Sequence, residues 1–249
     1  MTPEELERYA RHIVLREIGG PGQQKLLKAK VLVIGAGGLG SPALMYMAAA
    51  GVGTLGIIDD DIVSLSNLQR QVLHSTDAIG DPKTVSAIEA IARINPNVTV
   101  IPHQTRLTEA NIAIIGNYDL VLDGSDNFDT RYLVNEICAA QNVPLISAAM
   151  SQWEGQISLY DPANGTPCYA CVFPNQPADG LAPSCAEAGV MGALAGVMGS
   201  MMAGEAIKHI TGAGQTLRGE ILIYDALYGE TRKMRVNPRK DCPVCHKNK

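Results

Sequence analysis

The chain has 249 residues, of which 46% are hydrophobic, 18% charged and only 4% aromatic, with 25 glycines. That balance fits a folded α/β core and speaks against a disordered or fibrous chain. A formal net charge of −5 with no long Lys/Arg stripe argues against nucleic acid as a partner, and the basic stretch "TRKMRVNPRKDCPVCHKNK" reads as a solvated tail.

The first segment, "TPEELERYARHIVLRE", is charged throughout and reads as a capped helix rather than a signal peptide. Thr2 takes the N-cap, Pro3 the first turn and Glu5 the capping-box position. A glycine-rich break, "GGPGQ", follows. Apolar runs then predict strands at 30–35, 54–59, 97–102, 118–123 and 144–148, separated by helices near 39–51, 82–94, 108–115 and 128–141. Such alternation predicts a Rossmann-like, doubly wound, mostly parallel sheet with helices on both faces. Past residue 150, "WEGQISLY", "GEILIYD" and "GETRKMRV" read as antiparallel strands that extend this sheet, because no polar linker intervenes. One domain over 1–249 is expected, with a nucleotide-binding half at 1–150 and a cysteine-bearing half at 151–249. The stretch "GVMGALAGVMGSMMAG" is slightly short for a bilayer and ends at Glu205, Lys208 and His209. Its small residues (Gly192, Gly196, Gly199, Ser200, Gly204) point to a helix pressed closely on a neighbour, so no membrane span and a cytoplasmic setting are expected.

Residues 35–40, "GAGGLG", satisfy GxGxxG between a strand and a helix, with glycines at 35, 37, 38 and 40. Backbone N–H groups and the helix dipole favour phosphate at such a loop. Asp59 ends the next strand about twenty residues further on, where a carboxylate takes ribose hydroxyls. The pattern suits NAD, but the neighbouring residues suit a triphosphate. "SNLQRQ" supplies Ser66, Asn67, Gln69 and Arg70, and Lys83 opens the following helix. A cation in a first turn opposes the macrodipole unless an anionic ligand lies nearby. A further strand ends in "DGSDN", where Asp123 or Asp126 could hold Mg²⁺ beside Asn127. An Asx turn capping the next helix is the other reading of Asp126.

Six cysteines are present, four of them in two CxxC pairs: Cys168 with Cys171, and Cys242 with Cys245. Two such pairs fit a tetrahedral structural zinc site, with redox dithiol chemistry as the competing reading. Cys138 lies among Leu133, Val134 and Ile137 and reads as inert core. Cys185, in "PSCAEAGV" ahead of an apolar helix, is a candidate thiol nucleophile or a merely tolerated thiol.

The stretches "RYARHIVL", "VLVIGAGGLGSPA", "LSNLQRQVLH", "DGSDNFDTRYLVN", "WEGQISLY", "PCYACVFP", "SCAEAGVMGALAGVMGSMMAGEAIKHI" and "DCPVC" span nearly the whole chain. In these it resembles the MoeB/ThiF/HesA family, bacterial relatives of ubiquitin-activating enzymes. "WEGQ" and the "PSCAEAGV" loop look closer to molybdopterin-synthase adenylyltransferases than to thiamine-pathway relatives. The resemblance implies ATP-dependent adenylylation of the C-terminal glycine of a small ubiquitin-like sulfur carrier, which ends in Gly-Gly and docks on the second half. It implies that Gly38 lies against ATP, that Asp59 takes the ribose, that Asn67, Arg70 and Lys83 hold the phosphates, and that Asp126 takes Mg²⁺. It further implies a homodimer in which Arg11 reaches the partner's ATP, and zinc at Cys168, Cys171, Cys242 and Cys245. The family's thiol aligns with Cys185, and a rhodanese-like domain carried by longer relatives is expected to be absent. An NAD-dependent oxidoreductase and an inactive scaffold half of a heterodimeric activating enzyme are the readings from other classes.

Overall fold

A computed structural model describes residues 1–177 and 188–246. Eight strands form one sheet: β1 (Lys30–Ile34), β2 (Thr54–Ile58), β3 (Thr99–His103), β4 (Leu120–Asp123), β5 (Leu145–Ser151), β6 (Glu154–Tyr160), β7 (Glu220–Asp225) and β8 (Glu230–Arg235). Their spatial order is β3-β2-β1-β4-β5-β6-β7-β8. The first five are parallel and the last three antiparallel, so strands from both halves of the chain join one sheet as the sequence predicts. The order reverses between β1 and β4, the place where an open parallel sheet leaves a crevice at its carboxyl ends.

Alternation along the strands builds two cores. Val31 and Val33 of β1 face α4 (Gly40–Ala50), α5 (Lys83–Ile94) and the long α8 (Gly192–Thr211), which follows the short α7 (Tyr169–Val172); Leu44, Met47, Ile91 and Met198 are buried there. Leu32 and Ile34 face the other side, with Val134 and Cys138 of α6 (Phe128–Gln141) and the rings of Tyr118, Tyr160 and Tyr169. Cys138 is buried core, as its neighbours in sequence indicate. Among the described residues, no helix is long and apolar enough to cross a membrane.

The capping box is formed: Glu5 N donates to Thr2 Oγ1 (3.1 Å) and Thr2 N to Glu5 Oε2 (2.7 Å). The helix breaks sooner than expected, giving α1 (Pro3–Arg8) and α2 (Ala10–Ile13). The break falls at buried Tyr9, whose hydroxyl accepts from Asn95 Nδ2 (2.9 Å). "GGPGQ" is not a break but opens α3 (Gly19–Lys28), where Pro21 is tolerated because first-turn N–H groups have no helical acceptor. The helix expected at 108–115 is instead a 3₁₀ segment at Ile112–Asn117. Asn111 binds Thr108 N and the Arg106 carbonyl through its side chain, and such bonds compete with helix formation. On α8 a Cβ at Gly199 would strike the Leu39 carbonyl and one at Gly192 the Gln69 carbonyl, whereas Gly196 and Gly204 face open space. Close packing therefore uses two of the four glycines singled out in the sequence.

Candidate active site

A cavity of about 1140 Å³ opens at the carboxyl ends of β1, β2 and β4. Gly35, Gly37, Gly38, Asp59, Arg70, Lys83, Asp126 and Asn127, all singled out in the sequence, line it together. Gly35 adopts φ +87°, a conformation disfavoured for residues with a Cβ, and a Cβ on Gly40 would collide with the Gly35 carbonyl. Gly37 has nothing nearer its missing Cβ than Gln71 Nε2 at 3.6 Å, which leaves its backbone open to a ligand.

Asp59 is nearly buried. Its Oδ2 accepts from Ala36 N (2.8 Å) and its Oδ1 from Asp61 N (2.9 Å). Each oxygen keeps a lone pair free for a sugar hydroxyl. Burial raises the Asp59 carboxyl above its ordinary value, against the opposing pull of the Lys83 charge and the two N–H bonds. Lys83 is the first residue of α5 and only 5% exposed, and its Nζ contacts Asp61 Oδ2 at 2.8 Å. Arg70 is held by the Ser66 carbonyl (3.0 Å), and Asn67 Oδ1 accepts from Ser64 N (3.3 Å) to fold the turn that delivers Arg70. Ser66, Asn67, Gln69 and Gly40 are not on the cavity wall, and Gln69 instead sits against Gly192. Exposed Arg11 on α2 is also absent from the wall.

The sequence left Asp123 and Asp126 as alternatives for a metal, and the structure separates them. Asp123 is fully buried and accepts from Ser125 N (3.0 Å), Ser125 Oγ (2.6 Å) and Ser147 Oγ (2.8 Å). Asp126 is exposed in the cavity, and the residue that caps α6 is Asn127, whose Oδ1 accepts from Thr130 N (2.9 Å). The Asx-cap reading of Asp126 is therefore corrected, because a helix that begins at Phe128 places the N-cap on Asn127.

Several wall or near-wall residues, Asp61 and Tyr169 among them, escaped the sequence reading, and three more are buried. Arg131 is buried beside Asp123 (Nε to Oδ2, 3.7 Å), donates to the Ser125 carbonyl (2.7 Å) and lies over the Tyr169 ring. Gln71 is buried with its Oε1 unpaired. His74 packs beneath the glycine loop, its Nε2 2.9 Å from the Ala36 carbonyl. His74 meets Ala36 and Arg131 meets Tyr169 across 38 positions each, so no local pattern announces them.

The two CxxC pairs converge. Their four sulfurs lie within 4.8 Å of one another, with Cys168 to Cys171 at 3.8 Å, Cys168 to Cys242 at 3.6 Å and Cys171 to Cys245 at 3.4 Å. Zn–S bonds of about 2.3 Å make a tetrahedron with edges of about 3.8 Å, so the set could hold such an ion with little adjustment. The Arg239 N–H points to Cys171 Sγ (3.4 Å). Burial works against the Cys242 thiolate, yet the N–H groups of Cys245 and Val244 bring the thiol down to about 7. Between the first two cysteines, Tyr169 turns the other way and lines the cavity, its N–H held by Asn135 Oδ1 (2.8 Å). Cys185 lies outside the described residues.

A glycine loop, a buried acid and two cations at the switch point of a 3-2-1-4-5 sheet are the marks of a nucleotide-binding protein of the Rossmann class. The chain belongs to the ThiF family, whose model matches residues 9–244. It is 47% identical to a sulfur carrier protein adenylyltransferase of Thermus thermophilus, over 98% of this chain and 92% of that protein. It is 46% identical to the SAMP-activating enzyme E1 of Haloferax volcanii, over 97% of this chain and 89% of that one. The adenylyltransferase and sulfurtransferase MOCS3 of Xenopus laevis is 42% identical over 98% of this chain, which spans about half (54%) of that longer protein. E. coli MccB shares the fold, with a TM-score of 0.85 at 23% identity, covering 97% of this chain and 74% of that one. The protein is an adenylyltransferase, and the NAD reading of GxGxxG falls with that.

Proposed function

We propose that this protein uses ATP to adenylylate the C-terminal glycine carboxylate of a small ubiquitin-like sulfur carrier, releasing pyrophosphate, in molybdopterin biosynthesis. One observation carries the reading: Arg70, Lys83 and an exposed Asp126 share a cavity with the glycine loop and Asp59. The names of the relatives, which include a sulfur carrier protein adenylyltransferase, support the substrate class.

A glycine carboxylate is ionised at neutral pH, so its attack on the α-phosphorus needs no general base. The obstacle is bringing one anion to another and stabilising the charge on departing pyrophosphate. Asp59 would fix the ribose, and the glycine loop would hold the phosphates close to the backbone. Lys83, released from Asp61, and Arg70 would take up charge on the phosphate oxygens. Asp126 would hold Mg²⁺, which supplies further neutralisation of the phosphates when bound. Cys168, Cys171, Cys242 and Cys245 would hold Zn²⁺ as a structural tie, the role for which a closed all-cysteine set is suited. In a homodimer Arg11, exposed and away from its own cavity, would complete the site of the partner copy. The setting is cytoplasmic, where thiols stay reduced.

Pyrophosphate–ATP exchange with a panel of carriers ending in Gly-Gly tests this, with intact-mass detection of the carrier adenylate. Exchange with a molybdopterin-pathway carrier is expected. Exchange only with a thiamine-pathway carrier overturns the pathway, and no exchange with any carrier overturns the reading.

A further inference from the structure

Ala36, inside the glycine loop, is fully buried and bonded in both directions. Its N–H donates to Asp59 Oδ2 (2.8 Å), and its carbonyl accepts from His74 Nε2 (2.9 Å). A carbonyl only accepts, so Nε2 carries the ring proton. The other ring nitrogen, Nδ1, lies 2.9 Å from Ser86 Oγ and accepts its hydroxyl proton when the ring is neutral. Burial holds the imidazole below its ordinary value. The Lys83 charge acts the same way, against the opposing pull of the Ala36 carbonyl and the Asp59 carboxylate.

Ser86 stands one turn along α5 from Lys83. A second route links the same two elements: Asp59 Oδ1 accepts from Asp61 N (2.9 Å), and Asp61 takes both Lys83 Nζ (2.8 Å) and Lys83 N (3.0 Å). The hydrogen bonds thus close a ring from the glycine loop through Asp59, Asp61 and α5 to Ser86, His74 and back to Ala36. The Asp59–Asp61–Lys83 side includes the groups that ATP would engage, and the Lys83–Asp61 pair would open if phosphate competed for the ammonium. The His74 side touches no cavity residue's ligand-facing atoms, and His74 is not itself on the wall. Its bonds do not depend on the Lys83–Asp61 contact, so they would remain if the other side were rearranged.

We propose that His74 is a positioning residue for the nucleotide, holding the glycine loop at fixed distance from the helix that presents Lys83. This rests on the ATP reading above. A histidine that only filled space would affect stability and leave the kinetics of the folded protein unchanged.

Three variants separate the cases, each measured for the KM of ATP and of carrier in pyrophosphate exchange and for ATP·Mg binding by calorimetry. His74→Phe keeps a ring and loses both hydrogen bonds, so the ATP KM and Kd are expected to rise about tenfold with the carrier KM within about twofold of wild type. His74→Gln places an amide donor near the position of Nε2 and should restore the ATP KM to within about threefold of wild type. Ser86→Ala leaves Nδ1 without its donor and should raise the ATP KM by roughly threefold. A folded His74→Phe protein with wild-type ATP KM overturns the proposal, as does a His74→Gln protein no better than His74→Phe. If His74→Phe fails to fold, an unchanged ATP KM in Ser86→Ala overturns it. A wild-type chain that neither binds ATP nor exchanges pyrophosphate overturns the function reading itself, a separate result from these.

Discussion

The nucleotide cavity and the cysteine cluster are assembled by opposite means. The cavity gathers residues from successive strand ends and loops, with Tyr169 joining from the second half, and Asp59, Arg70 and Lys83 are already tied to protein atoms before any ligand arrives. The cluster joins two short pairs from segments far apart in the chain, and its sulfurs are partnered by one another, by N–H groups such as that of Arg239 and by the His246 ring. The first is pre-organised by hydrogen bonds, so its loss should show in kinetics. The second is a cross-link, so its loss should show in stability.

The sharpest way to break that contrast is on the cavity side. Lys83→Ala and Asp126→Ala are each expected to lower pyrophosphate exchange by about 10³-fold or more with an unchanged thermal midpoint, since each removes charge met chiefly in the transition state. Wild-type exchange in either variant would sink the site assignment. Gly40→Ala tests whether the loop is rigid: the added methyl meets the Gly35 carbonyl, so a stability loss of about 3 kcal/mol or more is expected by denaturant unfolding. On the cluster side, Cys242→Ser should release bound zinc, measured by elemental analysis. It should also lower the thermal midpoint by roughly 10 °C, while the folded fraction keeps an ATP KM near wild type. A large ATP KM change with no loss of stability would reverse the comparison. Gly37→Ala is gentler, because only Gln71 Nε2 lies near the new methyl, and it should raise the ATP KM about tenfold with little change in stability.

The smallest effect concerns pH. Burial raises the Asp59 carboxyl, so protonation begins at higher pH than for an exposed aspartate. ATP affinity that depends on ionised Asp59 should therefore weaken on acidification earlier than an ordinary carboxylate would allow. Calorimetric titrations from neutral pH downward check this, and Asp59→Asn should flatten the dependence. For stability the sign is opposite: a carboxyl raised on folding favours the fold at low pH and costs stability as pH climbs through its folded value.

Both regions were legible in sequence where the signal was local. GAGGLG, Asp59 and Lys83 sit at fixed places in a strand–loop–helix pattern, and CxxC declares its own geometry. The mostly parallel sheet followed from the alternation of apolar runs and helices, and the antiparallel extension from the strand patterns past residue 150. The errors have equally local causes in the opposite direction. "GGPGQ" looks like a breaker, but its prolyl ring falls where a first helical turn spares the N–H. Asn111 turns the chain with its own side chain where periodicity suggested a helix. Arg131 reads as one more charge on an amphipathic helix, and only the fold shows Asp123 beneath it. His74 is separated from Ala36 by 38 positions, and a lone histidine carries no mark of the carbonyl it will meet.

The spacing of the cysteines also sets an order of assembly. Cys242 follows Cys168 by 74 residues, so the cluster closes a loop containing α8, β7 and β8. Closing a loop of that length costs about 4 kcal/mol of chain entropy unless the intervening elements have already drawn its ends together. As the chain emerges from its N-terminus, the glycine loop, Lys83 and Asp126 are all made before the second cysteine pair exists. The four sulfurs are therefore a late clasp: they meet only after the antiparallel strands have been made, on a protein whose glycine loop, Lys83 and Asp126 have already been synthesised.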